Sequence, residues 1–449
     1  MNELIYLLYI YLTLFIFNFM VMTNLMFLIL LTMIFNFNWL NWSNVMFNFG
    51  LNFYSNGLII MMLWIFTIIM INLNSVDYKN YCIFMNILLM TFMYLIFFSM
   101  NMMVFYFMFE SSLLIIFYMI MKWGSGEFRF NSSFYLMFYT LIFSLPLLYL
   151  LFNLMNSFNS MNFYILEMIN IMNMSNFKFI YLILSFLVKI PMYMIHGWLL
   201  KAHVEASFFS SMILASVMLK LGSYGLLRIM YFMKFMFNKF YSLFMMISLF
   251  GMLTLSMMCI YQMDMKLIIA ISSVVHMGIM LMGMFLMTKM SFYGSFYMMI
   301  SHGFISSGLF YSMNLMYNQT NSRLIYINKG MINLIPSFMM LWSLMCFCNV
   351  GSPFSLNLIS EIILIISLVC WLKYMLVFIM IYCMVSFIYS VYLFMLVFHG
   401  KSFMEFKMFN CKLINYVSMA NHLIPVNLIF FNLIYLGILK KSCIVISKM

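Results

Sequence analysis

Charge is what this sequence has least of. Of 449 residues only 9 are acidic and 21 are Lys or Arg, so charged residues make up 7% of the chain. Soluble domains carry about a quarter. A surface this poor in charge cannot be wetted, which excludes a water-soluble globular protein and leaves lipid as the solvent. There is also no polar stretch long enough for a soluble domain that folds separately, since 67% of residues are hydrophobic and the mean hydropathy is +1.09. Alanine is confined to Ala202, Ala206, Ala215, Ala270 and Ala420, while Met (60) and Phe (54) abound. That bias reads as the imprint of an AT-rich coding sequence, because Met replaces Leu in a core at little cost. Motifs of enzymes are missing too. No GxGxxG, no GxxxxGK[ST] and no haem or iron–sulfur cysteine pattern occurs, so a nucleotide site or a redox group of the chain's own is not expected. No His-x3-His or Cys/His cluster has the spacing of a metal site. Cys346 and Cys348 lack the paired spacing of a zinc site, and all eight cysteines read as small apolar fillers.

What is present is a succession of apolar runs, each able to cross roughly 30 Å of hydrocarbon as a helix. A β-barrel would need alternation of apolar and polar residues, which Leu25–Phe37 and Ile59–Ile71 lack. The expected fold is therefore an all-α polytopic membrane protein. About fourteen spans are predicted, near 4–21, 25–40, 57–74, 81–99, 102–121, 134–155, 179–198, 209–230, 241–261, 267–287, 293–317, 338–372, 374–398 and 423–439. The first residues, Met1-Asn2-Glu3, lack a basic region, so no cleavable leader is expected.

Two spans carry breaks. The seventh holds Lys189-Ile190-Pro191, and the twelfth, too long for a simple crossing, holds Gly351-Ser352-Pro353. Proline-interrupted, charge-bearing segments in both halves point to an inverted-repeat transporter fold. The expected organisation is 1–80 amino-terminal helices, 81–230 a first five-helix repeat, 241–400 a second inverted one, and 401–449 a loop and last helix.

Net charge is +12, which in a soluble protein would suggest nucleic acid, but here the basic residues sit mostly between apolar runs as membrane-flanking anchors. Lys79, Lys122, Arg129, Lys201, Lys266, Arg323, Lys329, Lys401, Lys407 and Lys412 fall in one set of alternating loops, Lys178, Lys234, Lys239, Lys289 and Lys373 mainly in the other. The first set is expected to face the compartment of translation.

Four charges stand where lipid tolerates them least: Glu110, Lys189, Lys220 and Glu361. An ionisable group at a helix centre costs roughly 2.5–3.5 kcal/mol on insertion scales. Either these groups are buried ion pairs that fix helix registration, or they line a hydrated path that takes up and releases protons. On the second reading a Glu110–Lys189 partnership that forms and breaks controls proton binding, and Lys220 is the next stop. His196, His203, His276 and His302 lie near span ends or inside spans. A lone buried His is more often a packing residue. Beside the Lys/Glu set a relay is the better reading, with His276 and His302 on the path and His196 and His203 as further relay candidates.

The segments Leu187-Val188-Lys189-Ile190-Pro191-Met192, His196-Gly197-Trp198-Leu199-Leu200-Lys201-Ala202-His203-Val204-Glu205-Ala206 and Gly222-Ser223-Tyr224-Gly225-Leu226 resemble the proton-translocating antiporter-like subunits of respiratory complex I. So do Asp264-Met265-Lys266, Ser272-Ser273-Val274-Val275-His276-Met277-Gly278, Ser301-His302-Gly303 and Asn349…Pro353…Asn357-Leu358…Glu361. The resemblance covers roughly 105–365. It implies fourteen spans in two inverted repeats, with Glu110 as the carboxylate of span five, Lys189 and Lys220 as the lysines of spans seven and eight, and Glu361 as the exit carboxylate of span twelve. It further implies membrane-arm partner subunits in the mitochondrial inner membrane, with NADH and ubiquinone used by the parent complex and no cofactor bound by this chain. The family usually has proline where this chain has Leu200, Ser207 and Phe354. Two rivals to proton pumping in that complex remain: a stand-alone cation/proton antiporter, and a membrane scaffold whose charges only staple helices.

Overall fold

The computed structural model describes residues 19–35, 43–46, 49–73, 78–158, 160–169, 175–401 and 411–435. The first predicted span, apart from residues 19–21, lies outside the described residues, as do 402–410 and 436–449 with Cys443. Apart from a short antiparallel pairing of Ser43–Met46 with Phe49–Leu51, the regular elements described are helices. Nine of them are long and apolar enough to cross a membrane among the described residues.

The chain forms two compact units, Met1–Ile190 with Glu205–Asn238, and Pro191–Val204 with Lys239–Met449. In the first unit Lys79–Phe98, Met102–Trp123, Arg129–Phe158 and Asn176–Lys189 pack in succession. The span Phe208–Phe232 lies in their midst, buried along its length. Its approach to Asn176–Lys189 depends on two glycines. A Cβ at Gly222 would stand 2.9 Å from Ile190 Cγ1 and 3.0 Å from the Ile190 nitrogen, and one at Gly225 would run into the Phe186 ring. Gly225→Val is therefore expected to force the helices apart at a cost of about 1–3 kcal/mol or more. A lowered thermal transition of the assembled protein is the check, with Ser223→Ala, next to the notch, nearly silent.

Both predicted breaks are found. The helix Asn176–Lys189 ends with Ile190 in an extended conformation, as the residue before a proline prefers. The chain then turns through Met194 at φ 76° and resumes as Gly197–Glu205. The helix Pro336–Val350 ends at Gly351 with φ 90°, and Leu356–Trp371 begins after Phe354 at φ 69°. Proline holds φ near −65°, so the Phe354 turn is closed to the proline usual in the family. Here the sharpness of the break comes from left-handed Gly351 and Phe354 around Pro353. Proline alone does not make a break, because Pro146 sits inside the continuous 30-residue helix Arg129–Phe158 and Pro425 inside Leu413–Tyr435.

In the second unit the 32-residue helix Lys289–Thr320 is the hub. Met265–Phe285, Leu356–Trp371, Pro336–Val350 and Leu413–Tyr435 pack around it. Close approach again uses small residues: a Cβ at Gly308 would stand 2.6 Å from Met345 Cε and 3.1 Å from His422 Cβ.

Candidate functional site

In the first unit Glu110 lies midway along Met102–Trp123 and Lys189 is the last residue of its helix. That end presents unpaired carbonyls and a negative partial charge, which favour a cation. Lys189 Nζ stands 3.5 Å from Glu110 Oε1, with the lysine 3% and the glutamate 18% exposed. The ammonium also reaches the Phe109 carbonyl at 3.5 Å and sits over the Phe109 ring. The contact is long for a charge-assisted hydrogen bond, yet the two groups are close enough to couple electrostatically.

Lys220 is fully buried. Its ammonium donates to the Ala215 carbonyl at 2.7 Å. The five residues Leu214–Met218 form a π-helical turn, an irregularity that often sits at functional positions because it re-aims the backbone carbonyls. Here one of those carbonyls meets the lysine, and Gly222 and Gly225 bring the Lys220 helix against the helix that ends in Lys189.

The second unit joins the other three predicted residues. His276 Nδ1 lies 3.4 Å from Glu361 Oε1 and 3.4 Å from the Tyr382 hydroxyl. The His276 and His302 rings are 5.8 Å apart. Asn357 holds the carboxylate: its Nδ2 donates to Glu361 Oε1 at 3.2 Å and to the Asn349 carbonyl at 3.1 Å. Ser301 donates in turn to Asn357 Oδ1 at 3.2 Å. The freed carbonyl of Asn349 comes from the last turn before the Gly351 break, so the break positions Glu361 through Asn357. His196 stacks on Tyr193. His203, fully buried, stacks nearly parallel on Phe310 at 4.7 Å, two turns along the helix that carries His302. The relay candidates thus lie beside aromatic rings.

Three groups escaped the sequence reading. Arg228, 1% exposed, pairs with Glu167 at 3.7 Å, and its spacing of eight from Lys220 was the available signal. Lys266, counted among the flanking anchors, is instead 4% exposed and donates at 3.3 Å to the Val204 carbonyl, where it meets the C-terminal dipole of Gly197–Glu205. Lys266→Met is expected to loosen that segment and lower stability by about 1 kcal/mol, read as a drop in the thermal transition of the assembled protein. His422 is fully buried, with Nδ1 3.1 Å from the Ser307 hydroxyl.

Broken helices and ionisable side chains buried within apolar spans define a class: polytopic membrane proteins that carry ions across the bilayer. A family model described as "NADH:quinone oxidoreductase/Mrp antiporter, TM" matches residues 99–389. "NADH-ubiquinone oxidoreductase chain 4" of Apis mellifera ligustica is 51% identical over 417 residues, 93% of each chain. The protein of the same name from Ceratitis capitata is 39% identical over 412 residues, 90% of this chain and 92% of that one. The chain belongs to this NADH:quinone oxidoreductase/Mrp antiporter family. Its fold is shared with a chain of respiratory complex I from Thermus thermophilus, with a TM-score of 0.85 at 19% identity over 95% of this chain and 94% of that chain. It is shared as well with a chain of an archaeal membrane-bound sulfane sulfur reductase, with a TM-score of 0.82 at 13% identity over 96% and 93%.

Proposed function

We propose that this chain is a proton-translocating membrane-arm subunit of NADH:ubiquinone oxidoreductase in the mitochondrial inner membrane, corresponding to chain 4 of that complex. The observation that carries the reading is the pairing of titratable groups at span depth in both units: Glu110 with Lys189, and His276 with Glu361. NADH and ubiquinone react in other subunits, and this chain takes up the released energy as proton movement. Charges in hydrocarbon are retained where they are hydrated and used. The fold is read as fourteen spans in two inverted five-helix repeats, 81–230 and 241–400, broken at the seventh and twelfth spans.

In this scheme Glu110 and Lys189 form the opening switch. Parting of the pair leaves a lysine whose hold on its proton follows the distance to the carboxylate. Lys220 receives the proton next. His276 and His302 pass it along the second repeat, since imidazole both donates and accepts, and Glu361 is the exit carboxylate. His196 and His203 serve as auxiliary relays. The partners are the neighbouring membrane-arm subunits and lipid. Copurification tests the assembly: the chain is expected to travel with the other membrane subunits, whereas a stand-alone antiporter would run alone. Orientation is tested with trypsin, which is expected to cut between Lys401 and Lys412 from the matrix face only. Cutting from the opposite face would invert the topology.

A further inference from the structure

Lys220, Tyr224 and Arg228 follow one another at intervals of four residues and so share one face of the span Phe208–Phe232. Arg228 lies eight residues, about 12 Å of helix rise, beyond Lys220 and one turn short of the helix end. Its guanidinium is held through both terminal nitrogens. Nη2 donates to the Tyr224 hydroxyl at 2.6 Å, and that hydroxyl donates to the Phe97 carbonyl at 3.3 Å. Nη1 stands 3.7 Å from Glu167 Oε1. With the Asn52 amide oriented to place its oxygen toward the arginine, the same Nη1 donates to it at 2.7 Å. The guanidinium faces the Tyr224 ring at 4.8 Å and the Phe163 ring at 5.7 Å. Glu167, on the short helix Phe163–Ile169, is 25% exposed. The line therefore runs from a fully buried lysine, past a buried arginine, to a carboxylate at the surface of the unit.

A guanidinium cannot release its proton in a protein, so Arg228 has no part as a relay. A fixed cation across a polar line instead repels protons, as the arginine of proton-excluding pores does. We propose that Arg228 is a positive plug, a positioning residue that seals the Lys220 site against protons arriving from the Glu167 end of the span. The inference rests on the reading that Lys220 belongs to a proton path. A pump that moves protons in one direction needs such a closure, since a continuous polar line would short-circuit it. Glu167, Tyr224 and Asn52 hold the plug in place without cancelling it, because the carboxylate is on the outer side and partly exposed.

The test is passive proton entry into proteoliposomes that hold the intact, idle complex under an imposed potassium diffusion potential, followed with a trapped pH dye. Arg228→Gln is expected to raise the passive proton rate about tenfold, since a like charge about 12 Å from Lys220 sets a barrier of roughly that order at an effective dielectric of about 20. Arg228→Lys keeps the charge and is expected to keep the seal. Glu167→Gln leaves the plug positive and is expected to leave the leak at wild-type level. A purely structural pair would behave differently, with Arg228→Gln and Glu167→Gln leaking or failing to assemble alike, and that result would overturn the plug. A tight Arg228→Gln complex of normal assembly would do the same. Adding Lys220→Met to Arg228→Gln is expected to abolish the leak. Measurement of pumping by Lys220→Met alone separates the two ideas: if it pumps normally, the path through Lys220 fails, and if it does not while Arg228→Gln stays tight, only the plug fails.

Discussion

Lys220→Met is expected to abolish proton movement through this chain, while NADH oxidation measured with an artificial acceptor keeps its wild-type rate. The expected size is large because the residue is fully buried and its ammonium donates to the Ala215 carbonyl at 2.7 Å inside the π-helical turn. Methionine fills the same unbranched space and cannot carry a proton. A buried charge carries a desolvation penalty that an apolar group of similar volume does not. The substitution does strand the Ala215 carbonyl, at about 1–3 kcal/mol, a loss that a large helical membrane protein tolerates. Assembly should therefore survive while the proton-to-electron ratio falls, and that combination separates transport from scaffolding. An unchanged ratio in reconstituted, well-coupled complex would assign Lys220 a structural role.

Glu361→Gln is expected to act as strongly in the second unit. The glutamine oxygen can still accept from Asn357 Nδ2, which now donates to Glu361 Oε1 at 3.2 Å, so the Asn349–Asn357–Ser301 network stays closed. What disappears is a titratable group 3.4 Å from His276 Nδ1. A positioned acid or base is worth about 10²–10⁴-fold in proton transfer, so transfer past His276 should slow by at least about a hundredfold. Native-gel migration of the complex should not change. Asn357→Ala gives the contrasting case, because it releases the carboxylate without removing it. A smaller, partial loss is expected there, since Glu361 then samples positions away from His276. Equal effects of the two substitutions would mean that the network, and not the proton on Glu361, is what matters.

Much of this was legible in the sequence because lipid makes charge conspicuous. Glu110, Lys189, Lys220 and Glu361 stand out in apolar runs where a soluble protein would hide them among dozens of charges. The breaks were legible where proline met a second signal: Pro191 two residues after Lys189, and Pro353 with Gly351. Pro146 and Pro425, each inside a continuous helix, show that proline alone is a weak signal, because a neighbouring helix can accommodate the freed carbonyl. Arg228 was missed for a related reason. It lies near a span end, where arginine usually marks the lipid interface, and only packing reveals that it points inward to Tyr224 and Glu167. Lys266 escaped in the same way, since a loop lysine and a buried helix-capping lysine have the same sequence signature.

The two units carry related arrangements in different residues. In the first, a helix ends at the lysine itself, and Glu110 and the Phe109 carbonyl of the facing helix share its ammonium. In the second, the break frees the Asn349 carbonyl, and Asn357 transmits that position to Glu361. In both, the helix end leaves polar backbone, which survives in hydrocarbon only where it lines protein or water. Water is thus the component on which the transport reading turns. A density map of the assembled complex at a resolution that shows ordered solvent is the most direct measurement. The account predicts water molecules in contact with the ammonium groups of Lys189 and Lys220 and with the imidazoles of His276 and His302. A dry, closely packed interior around all four would contradict it and leave these charges as helix staples.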